Sequence, residues 1–248
     1  MSTADLPASA PAVAPKSLAA RCVGVLLSPV TAFKEIVQAP GYIGPIALLT
    51  LFSVAVTETM LNKIGMDFII RRSIVQSGQN LTPEQIDQAV QRGASFGAIF
   101  AHLGGLLGVG VMVLVVAALG MLIANTIYGG EVKYGTSVAV AAYSYIPSVF
   151  ASIIAVVMIL FGDRESFNPN NLTPTNLGFF LDIHSVSKPL YTLATSLDVF
   201  SFWILGLLGI GFAAAIGKKT KPLSVFLPFF GLWAIWVLVR TGLAMLSS

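Results

Sequence analysis

The alternation of apolar and polar stretches is plainest at the carboxyl-terminal end. There residues 197–216 and 225–246 form two nearly unbroken apolar runs, joined by the basic turn Gly217-Lys218-Lys219-Thr220-Lys221-Pro222. Each run supplies about 20 residues, which at about 1.5 Å rise per residue crosses a hydrocarbon core of about 30 Å. Neither carries the polar stripe that a helix on a soluble surface needs. The pattern predicts a membrane hairpin. Upstream, residues 43–61, 98–128 and 136–161 give three further apolar segments of spanning length. The expected fold is therefore all-α, a polytopic integral membrane protein of five transmembrane helices plus an amino-terminal interfacial helix.

Between the spans the chain is punctuated by turn and cap signals. Residues 1–16 are an Ala/Pro/Ser tail without the basic start, apolar core and cleavage site of a secretory signal, and read as disordered and cytoplasmic; residues 17–248 read as one membrane domain. Ser28-Pro29 places an N-cap before a proline at the first helical position, and Val30, Phe33, Ile36 and Val37 then recur at helical spacing. This predicts a short helix on the membrane surface, either a contact element or a juxtamembrane helix packed on the bundle as a simple anchor. Ala39-Pro40-Gly41 breaks the chain before the first span. Residues 62–97 are charged and read as a structured loop, in which Thr82-Pro83-Glu84-Gln85 is a capping-box pattern that should open a short helix.

The second span is longer than a bilayer requires, which implies tilt or a protruding end. Its Gly104-x-x-x-Gly108 spacing suits close backbone approach, expected within the bundle, with packing between copies as the alternative. In the third span, Tyr143-Ser144-Tyr145-Ile146-Pro147 predicts a kink or contact motif, since proline removes a helical hydrogen bond and leaves carbonyls for hydroxyls to satisfy.

Composition agrees: the chain is 56% hydrophobic and 10% charged, with mean hydropathy +0.85. The net charge of +3 is small and scattered, so no nucleic-acid surface is indicated. The single Cys22 excludes an internal disulfide and reads as a small buried or interfacial thiol. Lysines crowded into the closing turn favour a cytoplasmic turn and a cytoplasmic amino terminus in the cell membrane. Lys63, Arg71, Arg72 and Arg92 then lie on the opposite side, so counting basic residues does not settle orientation.

Counting along each span brings Glu58, His102, Asp198 and Arg240 to a similar depth as a candidate intramembrane polar cluster. An unpaired Arg at membrane depth costs about 2.5–3.5 kcal/mol on insertion scales, which favours pairing Arg240 with Asp198 or Glu58. The alternative is that Arg240 snorkels while Asp198 caps the fourth span. His102 reads as a satisfied interfacial residue, and His184 lies in a loop with no second ligand at useful spacing. Phosphate loops, His-Glu-x-x-His pairs and Gly-x-Ser-x-Gly elbows are missing from the sequence. No catalytic, cofactor-binding or metal-binding residue is expected, and no cofactor.

Several segments resemble the Yip family, named for interaction with Ypt/Rab GTPases, in its bacterial form. The run from Leu27 to Ile36 followed by Pro40 looks like the family's opening segment. Gly129-Gly130 leading to Tyr143-Ser144-Tyr145-Ile146-Pro147 is similar to its third-span motif, and Leu197-Asp198-Val199-Phe200-Ser201-Phe202-Trp203 to its fourth-span signature. The resemblance covers about Ser17 to Leu246. It implies a five-span bundle and a non-enzymatic interaction or membrane-organising role akin to trafficking factors. GTPase binding is not carried over, because only a short tail stands where a partner-binding region would sit. The expected partners are the lipid bilayer and other membrane proteins or further copies. A small permease, channel or lipid-handling protein is the alternative, motivated by the broken third span and the polar cluster.

Overall fold

A computed structural model describes residues 16–77, 80–165, 167–168, 171–182, 185–217 and 219–246. The expected tail over 1–15 and the loop residue His184 lie outside the described residues. In order the helices are α1 (Leu18–Leu27), α2 (Pro29–Gln38), α3 (Ile43–Lys63), α4 (Met66–Ser77), α5 (Pro83–Leu122), α6 (Tyr134–Ser144), α7 (Ser148–Phe161), α8 (Lys188–Ser196), α9 (Val199–Ile216) and α10 (Pro222–Leu246). A π-helical turn, Ile123–Ile127, prolongs α5. Among the described residues there is no strand, only an isolated bridge between Asn176 and Asp198.

Helices α3, α5, α9 and α10 are each long and apolar enough to cross a membrane, and α6 with α7 form a fifth span bent by 41°. Connections alternate between two ends of the bundle. At the turn end are α1, α2 and the turns before α6 and α10; at the loop end are α4, the segment after α7, and α8. Outward side chains such as Leu51, Leu107, Val111, Ile235 and Leu238 are exposed and apolar, as a lipid-facing surface requires.

The stretch around Thr82 departs from expectation. Its capping box forms, with Thr82 Oγ1 accepting from Gln85 N at 3.3 Å and Gln85 Oε1 accepting from Thr82 N at 2.8 Å. It opens no short helix, however, but a 40-residue α5 that continues into the second span. With the π turn the helix counts 45 residues, about 68 Å long, against a hydrocarbon core of about 30 Å. No proline interrupts it beyond its first position, and in its first part Gly93 and Gly97 serve packing instead of ending the helix. A methyl added at Gly97 would meet Met66 Sδ at 2.9 Å, and one at Gly93 would meet Ile70 Cδ1 at 3.0 Å. Helix α4 therefore lies closely along the first part of α5, joined also by an Arg71–Asp87 ion pair. The segment 62–97 is a helical hairpin that lengthens the bundle at the loop end.

Helix α6 is the centre. Every residue from Ser137 to Ser144 is buried, although many are small, because their size lets α2, α5 and α9 approach from several sides. The third span breaks where expected. Pro147 has no N–H for the carbonyl a turn before it, so Ile146 N bonds Tyr143 O at 3.2 Å in a tighter turn, while Ser144 Oγ donates to Val140 O at 2.8 Å and Ser148 Oγ to Tyr145 O at 2.7 Å. The carbonyl that Pro147 frees is thus met by a backbone amide, and serine rather than tyrosine hydroxyls supply the side-chain donors on either side of it.

A second proline, Pro228, lies inside α10 and likewise deprives Ser224 O of its helical donor. The donor comes from Tyr128, whose hydroxyl bonds Ser224 O from the end of the π turn. Tyr128→Phe should therefore destabilise by about 1–3 kcal/mol by leaving a carbonyl unmet. In a Pro228→Ala background, which restores the N–H, the same substitution should cost less than half as much. Apparent melting temperatures of the four proteins in mild detergent test this; equal losses in both backgrounds would disprove it.

Candidate functional site

The sequence-predicted polar cluster divides in the structure. Glu58, near the end of α3, and His102, in α5, are in contact: His102 Nε2 lies 2.9 Å from Glu58 Oε1, with their side chains 52% and 44% exposed respectively. His102 Nδ1 lies 2.6 Å from Ala98 O. Both ring nitrogens thus face oxygens, which fixes the orientation of the imidazole between α3 and its own helix.

Asp198 is engaged elsewhere. Its Oδ1 accepts from Ser201 N at 2.9 Å, capping α9, and its Oδ2 accepts from the Thr175 hydroxyl. Val199 N bonds Thr175 O at 3.0 Å and Leu177 N bonds Leu197 O at 3.3 Å, so the aspartate ties the segment after α7 to the start of α9. Arg240 is exposed on α10 and makes no ion pair among the described residues. The expected Asp198–Arg240 pair does not form because both carboxylate oxygens already have local donors.

Of the kink motif, Tyr143, Ser144, Ile146 and Pro147 are buried and Tyr145 is partly buried. These side chains shape the third span from inside. The amino-terminal helix takes the bundle-packed of its two expected forms. Ala32, Phe33 and Ile36 of α2 are buried against the bundle, with Phe33 0% exposed where α9 passes. Gly211 makes the room: a methyl there would lie 2.6 Å from Val140 Cγ1 and 2.9 Å from Phe33 Cε1.

What sequence reading missed is α1 and the cavity behind it. Ser17 caps α1, its Oγ accepting from Ala20 N at 3.3 Å, and the buried stripe is Arg21, Cys22 and Val25. The signal was present, since Arg21 falls in register with Leu18, Cys22 and Val25 at helical spacing. Arg21 is only 9% exposed, and its Nη1 donates to Ala39 O at 2.8 Å. It lines a cavity of about 530 Å³ between α1, the α2–α3 connection and α6, with Lys16, Tyr42, Gly44 and Tyr143 among its walls. Burial pushes the neighbouring Cys22 thiol pKa above its ordinary value.

A five-span bundle centred on a proline-broken third helix, with Asp198 capping the fourth, has the segment order expected of one family, and the Yip1 domain model matches residues 23–241. The chain belongs to the Yip1 domain family. The match takes in the whole of α2 and of the spanning helices up to α9, and α10 as far as residue 241. No curated protein and no solved structure matches. Among the described residues, no cluster of His, Cys, Asp and Glu in this Yip1 domain could hold a metal ion.

Proposed function

We propose that this Yip1-domain protein is a non-enzymatic membrane interaction factor, placed in the cell membrane with its turn end cytoplasmic, which associates through α5 with other membrane helices. The observation that carries the reading is the outer face of α5. Gly104 and Gly108 face away from the bundle, and a methyl added at either meets nothing within 4 Å. Gly105 instead points inward, against the Thr57 hydroxyl. The GxxxG spacing expected to serve internal packing thus leaves a strip of backbone open to another helix. The break in the third span is filled by buried side chains, which supports an organising role over a solute path. The cytoplasmic assignment draws on Lys34, Lys219 and Lys221, which line one groove at the turn end.

Gly104→Leu/Gly108→Leu tests the reading without threatening the fold, because both sites are open and leucine favours a helix over glycine. Protein extracted with its surrounding lipid should carry a membrane-protein partner or second copy at fixed stoichiometry, and the variant should lose it. A wild-type protein that purifies alone and passes solute through vesicles would overturn the reading in favour of a permease.

A further inference from the structure

We propose that the cavity behind α1 is a binding site for a phosphoryl oxyanion, of the kind carried by an anionic phospholipid headgroup. Arg21 is the first reason. A guanidinium is always charged, and removing it from water is costly unless a counter-charge meets it. Arg21 is 9% exposed, yet no carboxylate among the described residues forms an ion pair with it. Its partners are neutral, the Ala39 carbonyl, to which Nη1 donates at 2.8 Å, and the Tyr143 hydroxyl beside it, and neither supplies a counter-charge. The rest of the planar fork borders the cavity, and such a fork matches the paired oxygens of a phosphate.

The second reason is independent of that side chain. Helix α3 begins at the same cavity, and its N-cap, Tyr42, provides no side-chain acceptor. In its first turn the N–H groups of Ile43 and Gly44 have no intrahelical partners and carry the positive end of the helix dipole, whereas Pro45 has no N–H to offer and Ile46 N already bonds Tyr42 O. An uncapped start of a 21-residue helix is a site that anions favour. It borders the same cavity as Arg21, and Lys16 adds a further positive group to the wall, partly met by Glu35 at 2.8 Å.

The apolar walls indicate a lipid as the source of the anion. Leu18, Pro40, Ile43 and Pro45 complete the lining, and Ile43 is 76% exposed at the bundle surface. A headgroup seated between Arg21 and the start of α3 would lead its acyl chains out along α3 into the bilayer. Free phosphate shares the headgroup chemistry but has no use for that apolar exit.

The test is retention by native mass spectrometry from bilayers containing phosphatidylglycerol and phosphatidylcholine, with inorganic phosphate as a separate arm. Wild-type protein should keep phosphatidylglycerol at least tenfold over phosphatidylcholine, and Arg21→Gln should remove that preference. Lys34→Gln/Lys219→Gln, in the other groove at this end, should leave it unchanged. Arg21 is buried, so a second variant guards against simple misfolding. A methyl at Gly41 would lie 3.7 Å from Arg21 Nη1, an ordinary contact, so Gly41→Asp places a carboxylate where the anion would sit. That variant should raise the melting temperature of lipid-free protein and abolish phosphatidylglycerol retention. Thermal protection by millimolar phosphate, lost in Gly41→Asp and with no lipid retained, would support the site and identify free phosphate as its source. Equal retention of both lipids together with no effect of phosphate, or retention that survives Gly41→Asp, would overturn the proposal.

Discussion

Phe33→Ala is expected to destabilise the protein by about 3–5 kcal/mol, the range for deleting a buried aromatic ring. Phe33 is 0% exposed and sits where α2 crosses α9, against the space that Gly211 leaves open. Helix α2 has ten residues, too few to persist on propensity alone, so its tertiary contact keeps it in place. Loss of the ring should release α2, and α1 with it. Cys22 reports that release directly. It is the sole cysteine, buried in α1, and burial holds its thiol pKa high, so little reactive thiolate is present in the native protein. Maleimide labelling in native membranes should accelerate at least tenfold in Phe33→Ala, while Phe100→Ala, at an exposed position on α5, should leave it unchanged. Unchanged labelling in Phe33→Ala would mean that α2 is held by something other than this contact.

This contrast also marks what the sequence could convey. Apolar length and punctuation located all five spans, because a hydrocarbon core sets how long an apolar run must be. The kink was legible from Pro147 for the same kind of reason: a missing N–H is a property of the residue itself. The depth of α2 was left between two readings, a surface contact and a bundle-packed anchor. Val30, Phe33, Ile36 and Val37 give the same stripe whether the helix faces lipid or protein, and what decides between them is Gly211, almost two hundred residues away. The polar cluster failed as a unit for a related reason. Counting along helices gives depth but not rotation, so Glu58 and His102 meet while Asp198 and Arg240 do not. The extent of α5 was hidden because capping signals mark where a helix begins, and glycines within it resemble loop residues until α4 is seen lying on them. Arg21 was concealed by its charge, which argues for a surface position unless something on the inside needs it.

The close approach at Gly120 should show how far the bundle relies on absent side chains. A methyl there would fall 2.0 Å from Phe212 Cζ and 2.4 Å from its Cε2. A ring can swing away from such a clash only if space is free, and Phe212 is 0% exposed, with the Phe229 ring centroid 5.2 Å from its own. Gly120→Ala should therefore destabilise by about 1–3 kcal/mol through overpacking, even though alanine favours a helix by about 1 kcal/mol over glycine. Gly108→Ala, facing open space on the same helix, should be neutral or slightly stabilising. The sharper test is a double-mutant cycle. Phe212→Leu on its own should lower the melting temperature by removing buried ring area, yet it shortens the side chain at the point of collision. Combined with Gly120→Ala it should restore part of the loss, giving a favourable coupling of about 0.5–3 kcal/mol. Strictly additive losses would show that α5 shifts along α9 to relieve the clash. Association through the open Gly104/Gly108 strip would then be sensitive to Gly120 as well, because both glycines ride on the same helix.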